Sequence, residues 1–147
     1  MSDEEIYREN LDDLVRYATV LVGPSDAEDV VSTVVMRVLA RRRLTDLDDA
    51  RAYMFRAVLN ESKTRLARRR SPPRVDDVAD APTPDPQPEV LAAVLGLPAQ
   101  QRAVTYLVYW EGHSIAEAAA LMGIRPGTTK RYLHLARRSL KGVLDAT

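Results

Sequence analysis

Apolar residues return every three or four positions along most of this chain, and no stretch alternates with the period of two that marks a strand. From Asp3 to Val22 the set Ile6, Leu11, Leu14, Val15, Ala18, Leu21 and Val22 predicts a helix, closed by Gly23-Pro24. A second helix runs through Val30, Val31, Val34, Val35, Val38 and Leu39 to the basic run at Arg41, Arg42 and Arg43. Ser25-Asp26-Ala27-Glu28 reads as its capping box. Leu44 to Asp49 reads as a loop. A third helix runs from about Asp49 to Arg70, with Ala52, Phe55, Leu59 and Leu66 inward. Val90, Leu91, Val94 and Leu95 give a short helix. Pro98 opens another, with Val104, Leu107, Val108 and Trp110 buried and Glu111-Gly112 at its end.

Ser114 to Lys141 is the most informative stretch. Ile115, Ala118, Ala119 and Met122 supply the inner face of a short helix. Gly123 suits a left-handed turn, and Pro126 suits the first turn of the next helix. Leu133, Ala136, Leu140 and Val143 then form an apolar stripe, while Lys130, His134, Arg137 and Lys141 form a separate basic one. Two helices about a glycine turn, the second basic on its outer face, predict a helix-turn-helix whose second helix enters the DNA major groove.

Between the two helical stretches lies Ser71 to Pro88, in which six of eighteen residues are proline and no apolar period survives. Drawn out as polyproline II it spans roughly 56 Å. The fold expectation is therefore all-α: two small helical domains, 1–70 and 89–147, joined by a proline-rich acidic linker at 71–88, the second domain ending in the helix-turn-helix.

Charge sharpens that division. The chain of 147 residues has a formal net charge of +0, yet residues 36–74 hold twelve basic side chains and four acidic ones. Residues 75–89 hold five acidic and no basic side chains, and residues 90–147 hold seven basic against three acidic. Two basic zones around an acidic spacer suggest two nucleic-acid contacts. The acidic N-terminus lacks a signal pattern and no apolar run is long enough to span a bilayer, so a cytoplasmic protein without membrane insertion is expected.

Little points to catalysis. There is no cysteine, and His113 and His134 stand alone, which argues against a metal site. No phosphate loop, nucleophile elbow or H-E-x-x-H motif occurs. Asp76, Asp77 and Asp80 read as solvated charge on a tether. No cofactor and no enzymatic activity are expected.

The order SDAEDVV, AYMFRAVLNESKTRLARRR, linker, then LPAQQRAVTYLVYWEGHSIAEAAALMGIRPGTTKRYLHLARRSL resembles the extracytoplasmic-function (ECF) sigma factors of the sigma-70 family, in their compact actinobacterial form. The resemblance covers nearly the whole chain outside the linker. It implies a region-two domain and a region-four domain that bind core RNA polymerase, bring it to promoter DNA and aid its opening, restrained by an anti-sigma factor. By motif position it places Asp26, Asp29, Ser32, Thr33 and Arg37 on the polymerase. It places Asn60, Lys63, Thr64, Arg65 and Arg68 on the minus-ten element, and Gly127, Thr128, Thr129, Lys130, Arg131, His134 and Arg137 on the minus-thirty-five element. Tyr53 and Phe55 lie near enough to the basic helix end to help hold a melted strand, or belong to the core. Asp76, Asp77, Asp80 and Asp85 of the linker would pass through the polymerase cleft and mimic the charge of RNA.

The chain departs from the family pattern at Ser32-Thr33, where a glutamine-acid pair is usual, at Thr64 and at Thr129. Thr129, Tyr132 and Leu135 are the positions expected to set promoter preference; the last two either contact thymine methyl groups or pack against a partner. Two alternatives stay open on the residues alone: a DNA-binding regulator that never engages polymerase, and a sigma-like adaptor that forms no productive holoenzyme.

Overall fold

Ser2 begins the first helix, its hydroxyl accepting from the Glu5 N–H at 3.2 Å. Asp3, Glu4 and Glu5 set negative charge at the positive end of the helix dipole. In the computed structural model, which describes residues 1–69 and 88–142, the regular elements are all helical. They are α1 (Asp3–Val22), α2 (Pro24–Arg41), α3 (Ala50–Arg68), α4 (Pro88–Leu95), α5 (Ala99–Thr105), α6 (Ile115–Met122) and α7 (Pro126–Ser139), with a short 3-10 turn at Leu44–Asp46 where a plain loop was expected. Arg70, Val143 and the linker acids Asp76, Asp77, Asp80 and Asp85 lie outside the described residues, as do the expectations drawn from them. No described helix is long and apolar enough to cross a membrane.

Local chemistry moves two of the expected boundaries. Gly23, at φ +89°, closes α1 and stands at the start of α2 with no side-chain cap. Pro24 takes the first helical position, so α2 begins two residues before the Ser25 capping box would have started it, and Ser25 lies exposed in the first turn. The second change comes after α5. Tyr106–Trp110 form a π turn, in which the Glu111 N–H bonds the Tyr106 carbonyl at 3.1 Å. One extra residue in the turn shifts the helical phase, so Val108 and Trp110 are only half-buried and Tyr106 joins the core.

The centre of the molecule is the second half of α1. Leu14, Val15 and every residue from Tyr17 to Val22 are buried, more than one amphipathic stripe contains. Both halves of the chain supply the cover: α2 and α3 from the first, α4 and α5 from the second. A single hydrophobic cluster therefore runs through the two predicted domains. The Tyr17 ring lies 4.9 Å from Phe55 and 5.7 Å from Tyr106, centroid to centroid.

Polar groups fix this packing. Arg102, on α5, is 7% exposed and donates to the Leu21 carbonyl at the end of α1 and to the Leu97 carbonyl at 2.6 Å. Burial first, and the nearby Arg69 second, lower its pKa, yet a guanidinium stays charged in a protein. Arg51 on α3 bonds Asp13 at 2.8 Å and Asn10 at 3.1 Å, and reaches Glu111 at 3.6 Å. Glu111 also accepts from the Tyr106 hydroxyl at 2.7 Å. Further along α3, Arg56 donates to the Ala120 carbonyl at 3.4 Å and lies across Gly123, where an added Cβ would come within 2.7 Å of its Cδ.

Among the described residues the fully buried Tyr17 hydroxyl has no hydrogen-bond partner. Tyr17→Phe keeps the ring stack and removes an unsatisfied polar atom, so urea unfolding should show a gain of about 1 kcal/mol. A loss of that size would mean the hydroxyl is bonded in solution.

Candidate nucleic-acid interface

The second half folds its last two helices about Gly123. Ser114 caps α6 with a full capping box: its hydroxyl accepts from the Glu117 N–H at 3.1 Å and the Glu117 carboxylate accepts from the Ser114 N–H at 2.9 Å. Gly123 takes the left-handed conformation at φ +71°, and α7 opens on Pro126. Leu133 and Ala136 of α7 and Leu140 just beyond it are buried, as are Ala118, Ala119, Leu121 and Met122 of α6. The expected helix-turn-helix has this geometry.

On α7 the structure separates the expected contact residues. Gly127, Thr128, Lys130, Arg131, His134 and Arg137 are exposed. Thr129 is not: it is 0% exposed, and its hydroxyl donates to the Arg125 carbonyl at 2.9 Å. A side chain sealed in the core and bonded to its own helix reads no base, so Thr129 leaves the contact set. It is a buried spacer in the stripe 129, 133, 136, 140. Tyr132 and Leu135 are half-buried at the flanks of that stripe. Helix α7 packs on α5 and α6, and its basic face is turned away from both.

The first half joins two groups that the resemblance had kept apart. Asn60, Lys63, Thr64 and Arg68 are exposed on α3, Thr64 donating to the Asn60 carbonyl at 3.1 Å. Arg65 bonds Glu61 of its own helix at 2.9 Å and is turned toward α2, where it bonds Thr33 at 3.0 Å and Asp29. Arg37 bonds the other oxygen of Glu61 at 2.6 Å, and Arg69 pairs with Asp26. The expected polymerase residues Asp26, Asp29, Thr33 and Arg37 are thus tied to the base of the expected minus-ten helix. Ser32 is exposed beside them, and Met36, 72% exposed, and Leu39, 44% exposed, give the outer side of α2 an apolar surface.

Between α2 and α3 lies a groove of about 630 Å³, lined by Arg37, Arg41, Tyr53, Arg56, Asn60 and Glu61 among others. The two aromatics of α3 divide here. Phe55 is core, whereas Tyr53 is half-buried on the groove, with the Arg42 guanidinium 5.6 Å from its ring centre. Arg56 and Glu61 were absent from the sequence-derived set. Glu61–Arg65 is a readable i, i+4 pair, but Arg37 and Asp29 join it only through the packing of α2 on α3.

Comparison with known proteins gives this geometry a family. Residues 6–71 match the model of sigma-70 region 2, and residues 88–140 match that of sigma-70 region 4. The RNA polymerase sigma-E factor of Streptomyces antibioticus is 32% identical over 155 residues, covering 97% of this chain and 84% of the relative. The ECF RNA polymerase sigma factor SigL of Mycobacterium tuberculosis is 33% identical over 154 residues, covering 95% and 87%. The fold resembles the sigma factor RpoE solved with the anti-sigma factor NepR from Bartonella quintana, with a TM-score of 0.72 at 22% identity over 97% of this chain and 96% of that one. It also resembles CnrH solved with the cytosolic domain of CnrY, at 0.66 and 24% over 98% and 88%. The chain belongs to the sigma-70 family of RNA polymerase sigma factors, in its ECF group.

The Arg37–Glu61–Arg65 cluster makes a prediction. Burial raises the pKa of Glu61, but the bonds and charges of Arg65 and Arg37 outweigh it and hold the carboxyl below its usual range. A lowered folded pKa stabilises above the unfolded value and is lost as pH falls through the folded one. Glu61→Gln should cost about 1–3 kcal/mol at pH 7, and the gap from wild type should close below about pH 4. A gap that stays constant with pH would show that the carboxylate charge is not what binds α2 to α3.

Proposed function

We propose that this chain is an RNA polymerase sigma factor that directs core polymerase to specific promoters and helps open the DNA. The observation that carries the reading is the outward basic face of α7 on a complete helix-turn-helix, in a chain that matches both regions 2 and 4. Residues 1–70 act as region 2, 71–88 as linker and 89–147 as region 4. Gly127, Thr128, Lys130, Arg131, His134 and Arg137 meet the minus-thirty-five element; Asn60, Lys63, Thr64 and Arg68 meet the minus-ten element. The outer side of α2, from Asp26 to Arg37, docks on polymerase. Arg65 serves by joining α2 to α3. The protein performs no catalysis of its own and works in the cytoplasm.

Scale supports a change of shape on the polymerase. Elements centred near minus ten and minus thirty-five lie roughly 85 Å apart, at about 3.4 Å per base pair. Two domains that share one core around α1 do not bridge that span, so the halves part and the linker is drawn out. The closed form is the one an anti-sigma factor would hold; the related RpoE was captured with the anti-sigma factor NepR, and CnrH with the cytosolic domain of CnrY.

Run-off transcription with purified core polymerase on a fragmented genomic library, with the 5′ ends sequenced, tests the reading. Transcripts that start at discrete sites sharing two upstream elements are expected. Stable DNA binding without a core complex or a promoter-dependent transcript would favour a separate regulator or an adaptor, and would end the sigma reading.

A further inference from the structure

Arg137 differs from the other cations on the exposed face of α7. Among the described residues it alone of Lys130, Arg131, His134 and Arg137 has a side-chain partner on another helix. Its Nε donates to the Tyr109 hydroxyl at 2.6 Å, and its guanidinium carbon stands 5.6 Å from the centre of the Tyr109 ring. Tyr109 is 44% exposed, so burial does not account for it.

The π turn puts it there. Tyr106–Trp110 contain three aromatics. Tyr106 turns inward to Tyr17 and Glu111, and Trp110 packs against Tyr106 at 6.2 Å. The widened turn leaves Tyr109 pointing outward along α7. A turn that loosens a helix to present one exposed phenol to one exposed arginine has no use in the core.

We propose that Tyr109 is a positioning residue for DNA binding, holding the Arg137 guanidinium as a fixed fork for a backbone phosphate of duplex DNA. The bond occupies Nε, and among the described residues both terminal nitrogens are free, the pair that grips a phosphate bidentately. The phenol accepts from Arg137 and keeps its own proton to donate beside the fork. Arg137 lies in the last turn of α7. The N-terminal part of a recognition helix meets the bases, so a cation this far along meets the backbone. An unrestrained arginine gives up much rotamer freedom on binding, and a side chain ordered beforehand gives up less.

The inference rests on the reading of α7 as a DNA-contacting helix, and a double-mutant cycle separates the two. The full chain is titrated by fluorescence anisotropy against a labelled mixed-sequence duplex at several salt concentrations. Arg137→Ala should weaken binding about tenfold at low salt and reduce the slope of log K against log salt by about 0.9, one phosphate contact. Tyr109→Phe, which keeps the ring and loses the acceptor, should weaken binding about threefold. In the Arg137→Ala background it should have no further effect. If Arg137→Ala weakens binding but Tyr109→Phe is silent, or its effect is equal in both backgrounds, the positioning role is overturned and the DNA-contacting helix stands. If Arg137→Ala leaves both affinity and slope unchanged, the contact assigned to this end of α7 falls, and the role of Tyr109 with it.

Discussion

A buried arginine at the end of a buried helix organises this protein. The last turn of α1 carries no basic residue, and its carbonyls lie in the core, away from water. Gly23 satisfies Thr19, Arg69 satisfies Val22, and Arg102 crosses from the second half of the chain to satisfy Leu21. A cation at a helix C-terminus is favourable twice over, through the bond and through the dipole. Once Arg102 is seated, α5 lies along α1, Tyr106 meets Tyr17 and Glu111 comes within reach of Arg51. The same contact carries a cost. The guanidinium is held by carbonyls rather than a carboxylate, and among the described residues the buried Tyr17 hydroxyl of α1 has no partner. The interface therefore combines apolar burial with polar groups that water would serve well, the composition of a contact between domains that can part.

The functional surfaces depend on that arrangement. With α1 at the centre, α6 is drawn against α3 and Arg56 is laid over the helix-turn-helix glycine, while α7 keeps its basic side outward. On the opposite side of the first half, α2 and α3 are tied by Glu61, Arg65, Arg37, Asp29 and Asp26. In the closed molecule the basic side of α7 is presented and one flank of α3 is occupied by α6. Charge on the chain does both structural and recognition work, and burial decides which arginine does which.

Much of the fold was legible. The limits of α1 were readable from the periodicity of its apolar residues and from Gly23-Pro24, and the helix-turn-helix from Gly123 and Pro126. The pattern Ser-x-x-Glu misled at Ser25, because a proline just before it had already started the helix; at Ser114, with no such proline, the same pattern gives a full capping box. At Thr129 polarity and phase conflict: the side chain is polar, yet its spacing from Leu133, Ala136 and Leu140 puts it on the apolar stripe, and the structure follows the spacing. Other features had no local signal. The π turn contains neither glycine nor proline. The burial of the second half of α1 depends on residues about eighty positions away, and so does the role of Arg102. Of the candidate site, the exposed cations were recoverable because helical phase gives exposure. The partners of Arg65 and Arg137 were not, because they come from other helices.

The chain holds its two halves together around α1, and the proposed sigma function requires that they separate. The chain has no cysteine, so Asp12→Cys on α1 and Ser139→Cys at the end of α7, both exposed, give a unique spin-labelled pair for pulsed dipolar spectroscopy. The free chain should give one narrow, short distance. The complex with core polymerase and promoter DNA should lengthen it by tens of ångströms, as elements roughly 85 Å apart on the duplex require. An unchanged short distance in a transcriptionally competent complex, or a broad, long one in the free chain, would contradict the account.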